Sequence, residues 1–314
     1  MQIYLAPLQG LTDWIFRESF NEHIGQFDKT FAPFIRTQNS EFYRPSQCND
    51  ILPLHNIHQR PVPQFLGNDK SSFLRFEDLC HEHQYSEVNI NLGCPFSRVM
   101  DKSMGAGLLS QPEKLANLLD EIFSVTKLNI SIKCRLGKNN VSEFEDIIPI
   151  LNQYPLVEVI IHPRVGTQMY KGDVDYEAFA KYAPLINHPI CYNGDISNIF
   201  EIQKIKALSP IIQRFMIGRG ILKQPFLLSE IRNEVLTSSQ KMNMLRNFHL
   251  SIIEKCKQKY SGDLHLLNRF VEMWEYHNEA YEDGRKIYKN IKKCNSFAKY
   301  EGIVFKAINE FSEH

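Results

Sequence analysis

The sequence predicts an α/β protein, a (β/α)8 TIM barrel followed by a small all-α C-terminal domain, and three observations support this prediction. Eight short β-type runs recur along the first three quarters of the chain. Their starting positions differ by roughly 25–40 residues, which is the length of a βα unit. After about residue 238 no further β-type run appears, and helical patterns continue to the C-terminus. A doubly wound open sheet is the alternative, because alternation of strands and helices alone does not separate the two folds.

The predicted strands cover residues 2–7, 30–35, 62–67, 87–93, 129–136, 157–164, 189–194 and 214–220. Helical patterns lie between them, as in 111–127, where Leu115, Leu118, Leu119 and Ile122 recur at the spacing of one helix face. We expect the barrel to span residues 1–238 and the helical domain to span residues 239–314, with Ser238 and Ser239 as the linker.

The composition is that of a globular protein. The chain has 314 residues, 43% of them hydrophobic, and its 36 basic residues balance its 36 acidic residues. No apolar run approaches the ~20 residues that span a bilayer, and the N-terminus has no signal-peptide pattern, so a cytoplasmic protein without a membrane segment is expected. The seven cysteines are odd in number, irregularly spaced and without a CxxC pair, which argues against a disulfide framework and against a metal site.

Polar side chains alternate with apolar ones along the predicted fourth, fifth and sixth strands. Asn89 and Asn91 share one face of the fourth strand, Lys133 lies on the polar face of the fifth, and His162 and Arg164 share a face of the sixth. In a barrel the apolar set faces the surrounding helices and the polar set faces the interior. The carboxyl ends of the strands are therefore the expected site, because (β/α)8 enzymes build their active sites there.

Two glycine-containing turns follow the seventh and eighth strands. They are Asn193-Gly194-Asp195 and Gly218-Arg219-Gly220, and a helical segment follows each of them. Backbone N–H groups and helix N-termini in this position bind phosphate in many barrels. The pair of turns predicts a phosphorylated cofactor or substrate.

Cys94 lies on the loop that leaves the fourth strand, at the same rim. A thiol with an ordinary pKa near ~8.5 is mostly protonated at neutral pH, so it can donate a proton as well as attack. The neighbouring segment Gly105-Ala106-Gly107 predicts a flexible loop that closes over a substrate.

Together these residues resemble the tRNA-dihydrouridine synthase family, flavin enzymes that reduce specific uridines in tRNA. Seven motifs carry the resemblance, in the same order along the chain: Ala6-Pro7-Leu8-Gln9-Gly10-Leu11-Thr12-Asp13, Gln64-Phe65-Leu66-Gly67, Asn91-Leu92-Gly93-Cys94-Pro95, Lys133-Cys134-Arg135-Leu136-Gly137, His162-Pro163-Arg164, Asn193-Gly194-Asp195-Ile196 and Met216-Ile217-Gly218-Arg219-Gly220. Leu8 stands where the family usually has methionine, and Asn89 stands where it usually has an acidic residue.

The resemblance implies FMN as cofactor, with NADPH or NADH as the reductant. The residues implied to bind FMN are Pro7, Leu8, Gln9 and Gln64 along the isoalloxazine, Lys133 and His162 at the ring, and Asn193, Gly194, Asp195, Gly218 and Arg219 at the phosphate end. Hydride from the reduced flavin would reach C6 of uracil, and Cys94 would be the general acid that protonates C5.

The resemblance also implies tRNA as substrate. Asn91 would help to place the uracil, and the other implied contacts are Arg164, Tyr170, Arg269, Arg285, Lys289 and Lys292. The last three lie at i, i+4 and i+7 of a helical pattern, which predicts a basic face for the RNA backbone. We expect a monomer.

Two alternatives remain open from the sequence. One is an FMN-dependent dehydrogenase of the dihydroorotate or dihydropyrimidine type, which acts on a free pyrimidine and leaves the basic helical tail without a purpose. The other is a noncatalytic tRNA-binding protein that retains the fold, which the intact set of Cys94, Lys133 and His162 argues against.

Overall fold

The computed structural model describes residues 1–36, 43 and 45–311. Its strands are β1 (Gln2–Leu5), β2 (Lys29–Thr30), β3 (Gln64–Phe65), β4 (Glu87–Leu92), β5 (Asn129–Arg135), β6 (Val159–His162), β7 (Ile190–Asn193) and β8 (Arg214–Ile217). All strand pairings are parallel, and the strands form one sheet in the order β2-β1-β8-β7-β6-β5-β4-β3.

Helices follow nearly every strand. They are α1 (Trp14–His23), α2 (Pro45–Cys48), α3 (Lys70–Glu82), α4 (Ser97–Met100), α5 (Pro112–Phe123), α6 (Glu143–Leu151), α7 (Tyr176–Tyr182), α8 (Ile199–Leu208), α9 (Arg219–Lys223), α10 (Leu227–Ile231), α11 (Ser238–Lys259), α12 (Asp263–His277), α13 (Gly284–Ile291) and α14 (Phe297–Asn309). Short 3-10 helices cover Pro53–His55, Gly105–Ser110, Ala183–Leu185 and Asn278–Ala280.

The sheet closes into a barrel. Its two outer strands, β2 and β3, are joined just beyond their ends by parallel bridges from Phe31 to Val62 and from Ile35 to Phe65. The backbone N–H of Val62 donates to the carbonyl of Thr30 at 2.8 Å across this seam. The (β/α)8 prediction is therefore confirmed and the doubly wound alternative is wrong, because an open sheet leaves its edge strands unpaired.

The predicted alternation of strand faces agrees with the structure. The apolar residues of β4 and β5, such as Ile90 and Ile132, are buried in the core between the sheet and the helices. The amide of Asn89 points into the barrel and donates to the hydroxyl of Ser131 at 2.9 Å. At the amino ends of the strands, Lys29 bonds both Glu87 and Glu158. These ion pairs occupy that end of the barrel, and the site forms at the opposite end.

Four longer helices follow the barrel strands. Helix α11 begins at Ser238 because Thr237 and Gln240 form a capping box, in which the Gln240 side chain accepts from the Thr237 N–H at 2.8 Å. Ser238 and Ser239 were predicted to be a linker, and this is corrected, since both belong to the first turn of the helix. Helix α11 packs on α1, where the hydroxyl of Ser251 donates to that of Ser19 at 3.0 Å.

We retain the division into two domains near residue 238 as a proposal. In the described part of the chain, no helix combines the length and the apolar character that crossing a membrane requires.

Candidate active site

Two adjoining cavities open at the carboxyl ends of the strands, with volumes of 380 Å³ and 200 Å³. The larger cavity extends to the turns after β7 and β8, and the smaller one extends to Cys94. Both are lined by a shared set of residues: Pro7, Leu8, Lys133, His162, Tyr170 and Arg219. The two cavities therefore form one elongated site. The five residues predicted to hold a phosphate end all line the larger cavity: Asn193, Gly194, Asp195, Gly218 and Arg219.

Asp195 organises the charged end of the site. Its backbone adopts φ = 44°, which turns the chain sharply after β7. Its carboxylate accepts from Arg164 Nη1 at 3.0 Å and from Arg219 Nη2 at 2.8 Å. Burial opposes ionisation of Asp195, but the hydrogen bonds and charges of the two guanidinium groups outweigh it and lower the pKa of the carboxyl group. The carboxylate thus positions the two guanidinium groups. The backbone of the turns and the Arg219 side chain could then contact an anion.

A close backbone approach holds the two turns together. A Cβ on Gly220 would lie 1.9 Å from the carbonyl oxygen of Ile196, so a larger residue there would push the turns apart. A Cβ on Gly194 would lie 2.9 Å from Val174 in the segment before α7, so a larger residue there would displace that segment. Asn193 adds a direct bond between the strands, since its amide donates to the carbonyl of Met216 at 2.8 Å.

Lys133 and His162 form the middle of the site. No described residue makes a hydrogen bond or an ion pair with the Lys133 ammonium, and burial together with the charge of Arg135 lowers its pKa to about 8. Arg164 Nη1 lies 3.1 Å from His162 Nε2. Because a guanidinium only donates, His162 Nε2 is the acceptor and Nδ1 carries the proton. Burial and the charge of Lys133 lower the pKa of His162 well below its ordinary value, so the ring is neutral. An ammonium without a partner beside a neutral imidazole fits a ligand with an anionic or electron-rich edge.

Cys94 lies at the far end, on a loop fixed by side chains of β4 and β5. The carbonyl oxygen of the Asn91 side chain accepts from the N–H of Cys94 at 2.8 Å, and Arg135 Nε donates to the carbonyl of Gly93 at 3.0 Å. The thiol is 5% exposed. Burial raises its pKa, so the thiol carries its proton at neutral pH and can act as an acid.

The segment predicted as a flexible loop is a buried helical turn in the structure, and this is a correction. Gly105–Ser110 is a 3-10 helix whose first five residues are buried. Gly105 has φ = 55°, and a Cβ there would lie 2.8 Å from the Cβ of Cys94. The N–H of Ala106 donates to the carbonyl of Cys94 at 3.1 Å. The glycine therefore permits close packing against Cys94.

Three predicted contact residues are already occupied within the protein. Gln64, predicted to line the flavin ring, is 0% exposed and lines neither cavity, and its oxygen accepts from Asn91 at 2.7 Å. Arg164, predicted to contact tRNA, lines the larger cavity but is 2% exposed and bonded to Asp195. Arg269, also predicted to contact tRNA, is 7% exposed and donates to Asp13 at 3.1 Å. Each of the three residues therefore supports another residue of the protein, and their predicted ligand contacts stay predictions.

Tyr170 and the basic helical face are accessible, as expected. The Tyr170 ring is 43% exposed and lies between the guanidinium groups of Arg135 and Arg219, at 5.2 and 4.7 Å from its centre. Arg285 and Lys289 are exposed on α13 and Lys292 is exposed at its end. None of these three cations forms an ion pair with a described residue. Asn91 and Gln9 line the smaller cavity.

Sequence reasoning missed three residues of the site. Arg135 donates to the carbonyls of Val165 and Met169 as well as to Gly93, and thereby joins the loops after β4 and β6. Arg135 lies two residues after Lys133 on β5 and therefore on the same polar face, which could have identified it from the sequence. Phe96, 50% exposed, and Tyr276 of α12 also line the smaller cavity. Nothing in the strand pattern places Tyr276 there, because it comes from the helical region.

Comparison with known proteins identifies the family. The family model for dihydrouridine synthase matches residues 4–309. This chain belongs to the dihydrouridine synthase family. The prediction of a flavin-dependent oxidoreductase is thereby confirmed, and the matched range includes all seven motifs, since they lie between residues 6 and 220.

Similar proteins span most of this dihydrouridine synthase chain. It is 26% identical over 265 residues to tRNA-dihydrouridine synthase B of Pasteurella multocida, covering 82% of this chain and 78% of that protein. It is 25% identical over 249 residues to tRNA-dihydrouridine(16) synthase of Cupriavidus necator, covering 74% and 73%. The solved structure of a morphinone reductase variant in complex with tetrahydroNAD superposes with a TM-score of 0.50 at 7% identity, covering 76% of this chain and 89% of that one. The structural likeness concerns the barrel fold alone.

Proposed function

We propose that this protein is a tRNA-dihydrouridine synthase that reduces the C5=C6 bond of uridines in tRNA, with FMN as bound cofactor and NADPH or NADH as reductant. One observation carries the proposal: a buried thiol, an ammonium with no partner among the described residues and two glycine-containing turns line a single elongated site in a chain of this family. We also propose that the enzyme is cytoplasmic and monomeric.

The residues around the larger cavity fit FMN. The backbone of the turns at Gly194 and Gly218, together with the Arg219 guanidinium, would bind its phosphate. Lys133 would face the electron-rich edge of the ring, where a positive charge stabilises the reduced form. Pro7 and Leu8 line both cavities and would form an apolar wall beside the ring.

Cys94 would act as the proton donor. When bound and reduced, FMN supplies the hydride that adds to C6 of uracil. The thiol then gives its proton to C5, so the double bond becomes a single bond. Burial keeps the thiol protonated until this step, and the Asn91 and Arg135 bonds hold its loop at the cavity wall. Because Cys94 lies at the end of the smaller cavity, the base would occupy the space between the thiol and the ring.

A uridine must leave its base stack to enter this cavity. Unstacking the base costs free energy, which enzymes that modify a base offset with contacts to the extruded base and to the backbone. Tyr170 and Phe96, which are exposed aromatic side chains at the cavity, offer stacking surfaces. The cations of α13 would attract the phosphate backbone through charge.

The proposed function is tested with purified protein. The protein is expected to carry FMN and, with NADPH, to form dihydrouridine in an unmodified tRNA transcript, as detected by mass spectrometry of the nucleosides. Free uracil and orotate serve as competing substrates. Turnover of a free pyrimidine without dihydrouridine in RNA would replace the proposal with a dehydrogenase, and flavin-free protein that binds tRNA would replace it with a noncatalytic binder.

A further inference from the structure

Arg269 connects the helical region to the loop that follows β1. Its Nη2 donates to the carbonyl of Leu11 at 3.0 Å and to the carboxylate of Asp13 at 3.1 Å. Lys259 of α11 lies 3.4 Å from the other carboxylate oxygen of Asp13. Asp13 thus receives one cation from each of two C-terminal helices, and it also caps α1 by accepting from the Phe16 N–H at 3.2 Å.

The loop held in this way forms part of the site. Residues 7–11 lie shortly after β1. Pro7 and Leu8 line both cavities, whereas Leu11 lines only the smaller one, with Cys94. Thr12 closes the base of the loop, since its hydroxyl donates to the carbonyl of Ala6 at 2.9 Å and accepts from the N–H of Leu8 at 2.7 Å. A change at Leu11 or Asp13 therefore moves the wall against which a base would lie.

Arg269 is buried and only partly hydrogen-bonded. The guanidinium is 7% exposed, and its Nε and Nη1 atoms have no hydrogen-bond partner among the described residues. Burial opposes both charges of the pair, but their mutual attraction outweighs it, so the pKa of Arg269 is raised and the pKa of Asp13 is lowered. The pair therefore adds to folding stability, and it also fixes the geometry between the two elements that it joins.

We propose that Arg269 is a positioning residue, which uses its contacts to Leu11 and Asp13 to set the wall of the base-binding cavity from the helical region. This inference rests on the proposed function. It couples the part of the chain that would bind tRNA to the place where the uracil would react. Because Arg269 bonds the Leu11 end of the loop, which lines only the smaller cavity, base placement depends on Arg269 more strongly than FMN binding does.

The test compares Arg269→Gln with the wild-type enzyme, with turnover expressed per bound FMN. Misplacing a reacting group by about 1 Å costs up to ~100-fold in rate, so kcat for uridine reduction is expected to fall at least about tenfold. KM for tRNA and the rate at which NADPH reduces the bound FMN in the absence of RNA should each stay within about threefold, because neither depends on the position of this wall.

The matched control is Lys255→Met, which removes another contact between the helical region and the barrel, the 3.3 Å ion pair with Glu22; neither residue lines either cavity. It should leave kcat per bound FMN unchanged. Arg269→Lys retains the charge beside Asp13, should fold even if the glutamine variant does not, and should show a smaller fall in kcat.

A normal kcat in Arg269→Gln, or in Arg269→Lys if only that variant folds, overturns the positioning role while the proposed function stands. An equal fall in kcat with Lys255→Met also overturns it, because the effect then belongs to the whole interface. A wild-type protein that forms no dihydrouridine overturns both proposals.

Discussion

Charged residues at the barrel mouth and charged residues on α13 are arranged in opposite ways. At the mouth, Arg164 is buried and bonded to Asp195, which also holds Arg219. On α13, Arg285 and Lys289 are exposed and have no ion pair with a described residue. We propose a division of labour, in which the paired arginines of the mouth fix geometry for a small ligand and the exposed cations of α13 attract a large polyanion.

The largest effect is expected where a paired charge at the mouth is broken. Asp195→Asn keeps the shape and tolerates φ = 44°, but it leaves the buried Arg164 without its counter-charge. Such a loss costs about 2 kcal/mol of unfolding free energy, below the usual range for a buried pair, because Asp195 is exposed and solvent screens its charge. FMN affinity should also fall at least tenfold. Urea unfolding and flavin titration measure the two effects. Glu145→Gln, which breaks the fully exposed pair with Lys181, is the control and should change neither quantity.

A second effect concerns Lys133, a cation at the mouth that has no partner among the described residues. Its pKa of about 8 in the folded protein lies below that of an unfolded lysine. Below pH 8 the buried charge therefore lowers the free energy of unfolding. As pH rises from 8 towards ~10 the unfolded state binds more protons, and the stability of FMN-free protein should increase.

Lys133→Met should accordingly stabilise the FMN-free protein at pH 7 by about 2 kcal/mol, although it removes activity. Lys292→Met, on the exposed face, is the control and should leave unfolding unchanged. Urea unfolding of both variants at pH 7 and pH 9.5 measures the change in the free energy of unfolding. A destabilised Lys133→Met protein would show that the buried ammonium does not destabilise the FMN-free fold.

A smaller effect is expected on α13. Replacement of Arg285, Lys289 and Lys292 by glutamine should weaken tRNA binding about tenfold at low salt and reduce the slope of log Kd against log salt by about 2, since each phosphate contact contributes ~0.7–0.9. Stability and FMN content should not change. An unaltered salt slope would remove α13 from the RNA-binding surface.

The sequence alone predicted most of the framework. The eight strands, their polar faces and the position of Cys94 and Lys133 at one rim follow from periodicity and motif order. It did not predict which polar residues already have hydrogen-bond or ion-pair partners inside the protein. Arg164 meets Asp195 only because β6 and β7 are neighbours in the barrel, and Arg269 meets Asp13 across 256 residues of chain. A free arginine and a paired arginine look the same in a sequence.

The central claim, that the Cys94 thiol protonates a uracil lying across a bound flavin, is tested most directly by Cys94→Ala. Dihydrouridine formation per bound FMN should fall at least about 100-fold, the usual contribution of a general acid, while NADPH still reduces the flavin at the wild-type rate. Cys294→Ala, a partly exposed cysteine of the helical region, is the matched control and should behave as wild type. Near-normal dihydrouridine formation by the Cys94→Ala protein would contradict the account.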